Sequence, residues 1–160
     1  MTQSGWLGWV ADRGLERPVC QPARVGHRRL ECSGLNGVTL VGDAYGDPAD
    51  RSVLLQHGGG QTRHSWGGTA KALAGAGFHA VSADLRGHGD SAWDAAGAYM
   101  VEDYVADIEA LIRELKLNNI VLWGNSTGGR VAQMIGGRRP ERVAAIVSED
   151  VGPERPAAIS

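Results

Sequence analysis

The amino-acid sequence predicts an α/β domain, a mostly parallel sheet with helices on both faces. Two observations carry that prediction. Short apolar runs of strand length alternate with longer amphipathic or alanine-rich stretches from residue 52 onward, and this βαβαβαβ order requires crossover connections between parallel neighbours. Each strand-like run also ends in a polar or glycine-bearing turn. His57, Asp84, Ser126 and the pair Glu149 and Asp150 therefore fall at carboxyl ends of strands, where such sheets carry their ligand sites. A chain of 160 residues, 42% of them apolar, is long enough for one sizeable core.

In chain order, residues 1–26 show no periodicity and read as an N-terminal extension to a domain at 27–160. The basic group Arg24, His27, Arg28 and Arg29 is a solvated lead-in to the first strand. Residues 27–35 and 38–45 fit two antiparallel strands, with Asn36-Gly37 as a tight hairpin turn because both residues tolerate the left-handed backbone such a turn needs. After the loop 46–50, a strand at 52–56 runs into His57-Gly58-Gly59-Gly60. An alanine-rich helix follows at 65–76, stopped by Gly77. Residues 78–83 form the next strand and 84–91 a polar loop. A long helix then carries Val101, Tyr104, Val105, Ile108, Leu111, Ile112 and Leu115 at three- and four-residue intervals. That spacing makes one buried stripe and leaves Glu102, Asp103, Glu109 and Glu114 for water. A strand at 120–123, a turn, a helix at 130–136 and a last strand at 143–148 complete the pattern.

Charge and composition exclude several function classes. A net charge of −2 and a pI near 6.2 offer no electrostatic footprint for nucleic acid or for an anionic membrane surface. The apolar runs are short, and the first residues lack the pattern of an export signal, so the expectation is a cytoplasmic protein with no membrane partner. Cys20 and Cys32 are expected as free thiols. No histidine stands at zinc-ligand spacing from them, so neither a metal nor a cofactor is expected.

The chemistry is concentrated in Gly124-Asn125-Ser126-Thr127-Gly128. A G-x-S-x-G match is weak alone, since chance supplies roughly 0.2 of them in a chain of this composition. Its context gives it meaning: an apolar strand before it and a helix after it put the serine at the apex of a sharp turn. A serine held there at positive φ leaves no room for side chains two residues away, and glycines stand at both positions. The unpaired N–H groups at the start of the next helix would face any negative charge beside the serine, with Thr127 N–H the nearest. A competing pattern, Gly87-x-Gly89-x-x-Ala92, satisfies a dinucleotide fingerprint only if it opens a helix, and residues 93–97 do not read as helical. His57 reads as a residue that shapes its glycine loop, and His88, Asp84 and Asp90 as polar groups that satisfy one another. Trp66 and His64 are candidates for a pocket mouth.

Four blocks resemble the α/β-hydrolase fold family in its soluble esterase- and haloperoxidase-like branch. They are Leu54 to Gly60, Asp84 to Ser91, Gly124 to Gly129, and Val147 to Pro153, in family order. The resemblance implies a serine nucleophile, Ser126, attacking the acyl carbon of a small ester-like substrate. The N–H groups of Thr127 and Gly59, or alternatively Gly60, would hold the oxyanion. A serine in place of an aspartate at the turn argues against the epoxide-hydrolase and dehalogenase branches.

The sequence also departs from the family. The family order is serine, acid, histidine, yet all five histidines precede Ser126. The acid position after a seventh strand would lie beyond Ser160, leaving Glu149 and Asp150 as the candidates. The expectation is therefore an incomplete α/β-hydrolase fold of about six strands, without the lid and the last two strands, and without a working triad. Two further expectations follow. Residues 143–148 would be an exposed edge prone to self-association, and the alternative to an enzyme is a non-catalytic fragment or small-molecule-binding module that keeps the hydrolase loops.

Overall fold

The structure is a computed structural model, and it describes residues 26–138 and 141–151. The expected extension thus lies, apart from Gly26, outside the described residues, as does Cys20. Six strands form one sheet in the order β1-β2-β4-β3-β5-β6: β1 His27–Ser33, β2 Thr39–Tyr45, β3 Arg51–Gln56, β4 Phe78–Ala83, β5 Ile120–Asn125 and β6 Val143–Glu149. The pairs β3·β4, β3·β5 and β5·β6 are parallel, whereas β1·β2 and β2·β4 are antiparallel. Helix α1 (Gly67–Gly75) covers one face. Helices α2 (Val101–Glu114) and α3 (Thr127–Arg138) cover the other.

Strand alternation explains the two cores. In β3, Leu54 points toward α2 and α3, while Val53 and Leu55 point toward Trp66, Ala70 and Ala74 under α1. The larger core is built around the α2 stripe, where Val105, Ile108 and Leu111 are almost completely buried. Each such side chain removed from water contributes about 1.5–3 kcal/mol before conformational entropy is subtracted. Cys32 joins this core as a free thiol, its pKa pushed up to about 11 chiefly by burial, so it behaves as a small apolar group.

Three boundaries differ from the sequence expectation. The hairpin turn is longer than two residues. A short 3₁₀ turn at Leu35–Gly37 sits between β1 and β2, Gly34 N–H bonds Val38 C=O at 2.7 Å, and Asn36 and Gly37 take the expected positive φ of 56° and 76°. Helix α1 starts only at Gly67, after a 3₁₀ turn at Arg63–Trp66. Helix α3 begins at Thr127, directly on the serine, because Gly128 and Gly129 are helical despite their low propensity.

Topology creates the crevice. From β3 the chain moves through α1 to β4 on one side, then crosses back through α2 to β5 on the other side of β3. The loops leaving β3 and β5 consequently diverge at their carboxyl ends, and a gap opens between them.

Candidate active site

Ser126 stands at that gap, half-buried, with φ of 48°, in a left-handed conformation uncommon for a residue with a side chain. Two backbone bonds hold the turn: Ser126 N–H donates to Glu149 C=O at 2.8 Å, and Ser126 C=O accepts the Arg130 N–H at 3.0 Å to open α3. The flanking glycines are demanded by contact. A Cβ on Gly124 would lie 2.3 Å from the Gly128 backbone, and one on Gly128 would lie 2.3 Å from the Gln56 carbonyl oxygen. The helix can pass this close to β5 and β3 only without side chains at both places.

The glycine loop after β3 lies against the same turn. A Cβ on Gly58 would be 3.2 Å from Ser126 Cβ, and one on Gly59 would be 3.6 Å from Thr127 Oγ1. Its N–H groups differ in occupation. Gly58 N–H donates to Gln61 Oε1 at 2.9 Å and Gly60 N–H to His88 Nε2 at 3.3 Å, while Gly59 N–H has no partner among the described residues. Thr127 N–H, at the first position of α3, likewise has none among them. Two uncommitted donors next to the serine are suited to an anionic oxygen, and the positive end of the α3 dipole lies beside them.

Four of the five histidines are engaged elsewhere. His57 is fully buried: Leu85 N–H donates to its Nε2 at 3.0 Å, which requires the proton on Nδ1, and Nδ1 donates to Gly58 C=O at 2.8 Å. Burial holds its pKa below the ordinary value, so it is a neutral strut between two loops. His88 is fixed in the same tautomer, donating from Nδ1 to Arg86 C=O at 3.0 Å. His27 pairs with Asp43 on β1 and β2, and His79 with Ser52 at the opposite end of the strands. His64 is exposed on the 3₁₀ turn before α1. Among the described residues no hydrogen bond joins Ser126 to an imidazole.

Both candidate acids end β6. Glu149 presents its backbone to Ser126, and its carboxylate accepts the Trp123 indole N–H at 2.7 Å. Asp150 follows at φ 53°, just past the strand. Gln61, Ser65, Trp66, Thr69, Asn125 and Glu149 line a cleft of about 190 Å³ beside the turn. Trp66 thus reaches the pocket mouth as anticipated, but His64 does not line it. A cavity of about 240 Å³ between the ends of α2 and α3 lies at the starts of β5 and β6, away from Ser126.

Two buried arginines hold the loop 84–91, and sequence reading passed over both. Arg63 is 3% exposed: its Nε donates to Asp43 at 2.9 Å, its Nη2 to Asp90 at 2.9 Å and its Nη1 to Asp84, which also accepts Arg63 N–H. Burial works against the Asp43 carboxylate, yet the hydrogen bonds from His27 and Arg63 outweigh it and hold its pKa below the usual range. Arg86, fully buried, grips Asp107 with Nε at 2.6 Å and Nη2 at 2.7 Å, and its Nη1 reaches Asp94 at 2.9 Å and Ala98 C=O at 3.0 Å. Asp107 was the available signal, since it falls inside the apolar stripe of α2 between Tyr104 and Ile108, where a lone carboxylate requires a partner.

A family model described as the alpha/beta hydrolase fold matches residues 51–159, which span the glycine loop, the serine turn and β6. The chain belongs to the α/β-hydrolase fold family. Among curated relatives, this hydrolase-family chain is 31% identical over 126 residues to epoxide hydrolase B of Mycobacterium tuberculosis. It is 35% identical over 112 residues to the 3-hydroxybutyrate-oligomer hydrolase of Cupriavidus necator. These alignments cover 78% and 69% of this chain but 35% and 38% of the relatives. Among solved structures, an epoxide hydrolase from Vigna radiata superposes with a TM-score of 0.73 at 30% identity, over 85% of this chain and 43% of that one. The matched stretch therefore spans 35–43% of the length of these relatives. Among the described residues, no helix is long and apolar enough to cross a membrane.

Proposed function

We propose that Ser126 is the nucleophile of a hydrolase acting on a small ester-like or related acyl substrate. The observation that carries this reading is the positive-φ serine at the apex of β5 and α3 with two uncommitted N–H groups beside it. The hydroxyl adds to the acyl carbon, its proton passes to a base, and the carbonyl oxygen becomes an oxyanion held by Thr127 N–H and Gly59 N–H. Gly60 is the weaker candidate because its N–H is already bound to His88. The serine also favours acyl over epoxide chemistry in this reading, despite the names of the relatives. An alkoxide suits acyl transfer, whereas the aspartate that marks the epoxide-hydrolase branch is absent from the turn.

All five histidines precede Ser126 and none is hydrogen-bonded to it, so full turnover in this reading calls for an imidazole from outside the 160 residues. Glu149 and Asp150 are the candidate acids to orient it. Without base and acid, the oxyanion donors alone would leave roughly 10³- to 10⁴-fold acceleration over water.

Covalent labelling tests the site itself. A fluorophosphonate probe should modify Ser126 in the folded chain, slowly, and a Ser126→Ala variant should stay unmodified by intact-mass measurement. Absence of labelling in protein shown to be folded would reject the oxyanion site. The second reading, a binding module that keeps the hydrolase loops, is favoured by the lack of an imidazole bonded to Ser126. It predicts saturable binding of a small ester with no covalent adduct.

A further inference from the structure

A second pair of bonded polar side chains stands at the opposite end of the sheet from Ser126. The parallel register of β3 and β4 sets Ser52 beside His79, and alternation puts both on the α2 face with Leu54 and Val81. Both are buried, His79 to 3% of its accessible surface. They line a cavity of about 270 Å³ together with the exposed Arg28, Asp50 and Lys116. Every residue that lines it precedes β5, and β5 stands between β3 and β6, so its walls are built without β6 or anything beyond it.

The hydrogen bonds here leave one group unanswered. Ser52 Oγ lies 3.1 Å from His79 Nδ1, and the hydroxyl has no other partner among the described residues. Donating to Nδ1 leaves only Nε2 unsatisfied, whereas accepting from Nδ1 would strand both the hydroxyl and Nε2. The ring proton therefore sits on Nε2, a buried donor without a partner. Burial, reinforced by the Arg28 charge against a weaker pull from Asp47 and Asp50, holds the His79 pKa below its ordinary value. The ring is neutral and keeps that single proton.

We propose that this cavity is a second ligand site, for a small organic carboxylate held by His79 Nε2–H, Arg28 and Lys116. Neither cation forms an ion pair among the described residues, so both are free to take an anion. The end of α2 does not compete for them, because the C=O groups of Leu111, Ile112 and Arg113 already accept the N–H groups of Leu115, Leu117 and Lys116. Two cations against the Asp50 carboxylate leave the lining one positive charge in excess, which suits a monoanion better than a phosphate dianion. A carboxylate can also accept from a ring N–H with one oxygen and from a cation with the other.

Titration of the 160-residue chain with acetate and with propionate, at constant ionic strength and followed by the His79 side-chain NMR signals, tests this. The expected result is a saturable shift of the Nε2–H resonance with a Kd of about 1 mM, within reach of so small a ligand. Arg28→Ala and Lys116→Ala, both at exposed positions, should each weaken binding about fivefold, and Asp50→Asn should tighten it about twofold. Ser52→Ala with His79→Phe removes the polar floor and should abolish binding in a chain that still unfolds cooperatively. The proposal is overturned if neither acid gives a saturable shift up to about 50 mM, if chloride gives the same shift, or if the folded Arg28 and Lys116 variants bind undiminished. Phosphate binding more tightly than acetate would overturn it equally, as would weaker binding in Asp50→Asn, the mark of a zwitterion. Residues 1–25 are present in the chain tested, so their occupation of the cavity would register as absence of binding and count against it.

Discussion

Two loops meet at the carboxyl end of this sheet, and they are held in different ways. The serine turn is fixed by shape, because Gly124 and Gly128 let α3 touch β5 and β3, and Ser126 has no freedom left once the backbones are in contact. The loop 84–91 is fixed by charge: Arg63 binds its Asp84 and Asp90, and the loop's own Arg86 binds Asp94 and Asp107 outside it. Steric fixation fails gradually as atoms are added. Ionic fixation fails abruptly, because removing one partner leaves the other buried and uncompensated.

The largest expected effect breaks the ionic side. Arg86→Ala should lower stability by about 3–5 kcal/mol in urea unfolding, because Asp107 would remain as a buried carboxylate with no counter-charge. The paired replacement Arg86→Met with Asp107→Leu should cost less than the single change, and a larger cost would show that the loop needs the ion pair itself. On the steric side, Gly128→Ala should cost about 1–3 kcal/mol, since its Cβ meets the Gln56 carbonyl. The same change should slow fluorophosphonate labelling of Ser126, whereas Arg86→Met with Asp107→Leu should slow it less.

A smaller effect comes from the buried imidazoles. Burial lowers the pKa of both His57 and His79 in the folded chain, so below the ordinary value of about 6.5 the unfolded chain binds protons that the folded chain refuses. Stability should therefore fall as pH drops below about 6.5 and level off above it. A His57→Gln variant measured by thermal melting should show a shallower dependence in that window. The smallest effect has the opposite sign. Gly68 lies in α1 with open space around it, and Gly68→Ala should raise stability by about 0.5–1 kcal/mol, the converse of Gly128→Ala.

The comparison also explains what could be read in advance. Glycine spacing around Ser126 is local, as is the three- and four-residue stripe of α2, and both were legible because neighbours in sequence are neighbours in space. The start of α3 at Thr127 was not. Gly128 and Gly129 read as a loop by propensity, and only their contact with Gln56 and Val151 shows why a helix tolerates them. Arg63 and Arg86 were invisible for a related reason. Apart from Asp94 and the Ala98 carbonyl, their partners Asp43, Asp84, Asp90 and Asp107 lie 20 residues or more away, and a lone arginine in a loop reads as solvated. Only Asp107, misplaced in an apolar stripe, gave a local hint.

By itself the sequence determined the order of strands and helices, the serine turn and its glycines, and the histidines that precede Ser126 instead of following it. Each is a property of spacing or of order along the chain. The tertiary structure alone decided which imidazoles are consumed as struts, which loop N–H groups remain uncommitted beside Ser126, and which aspartates answer the buried arginines. Those outcomes depend on which distant groups share the low-dielectric interior, and that is settled only when the sheet brings the strand ends together.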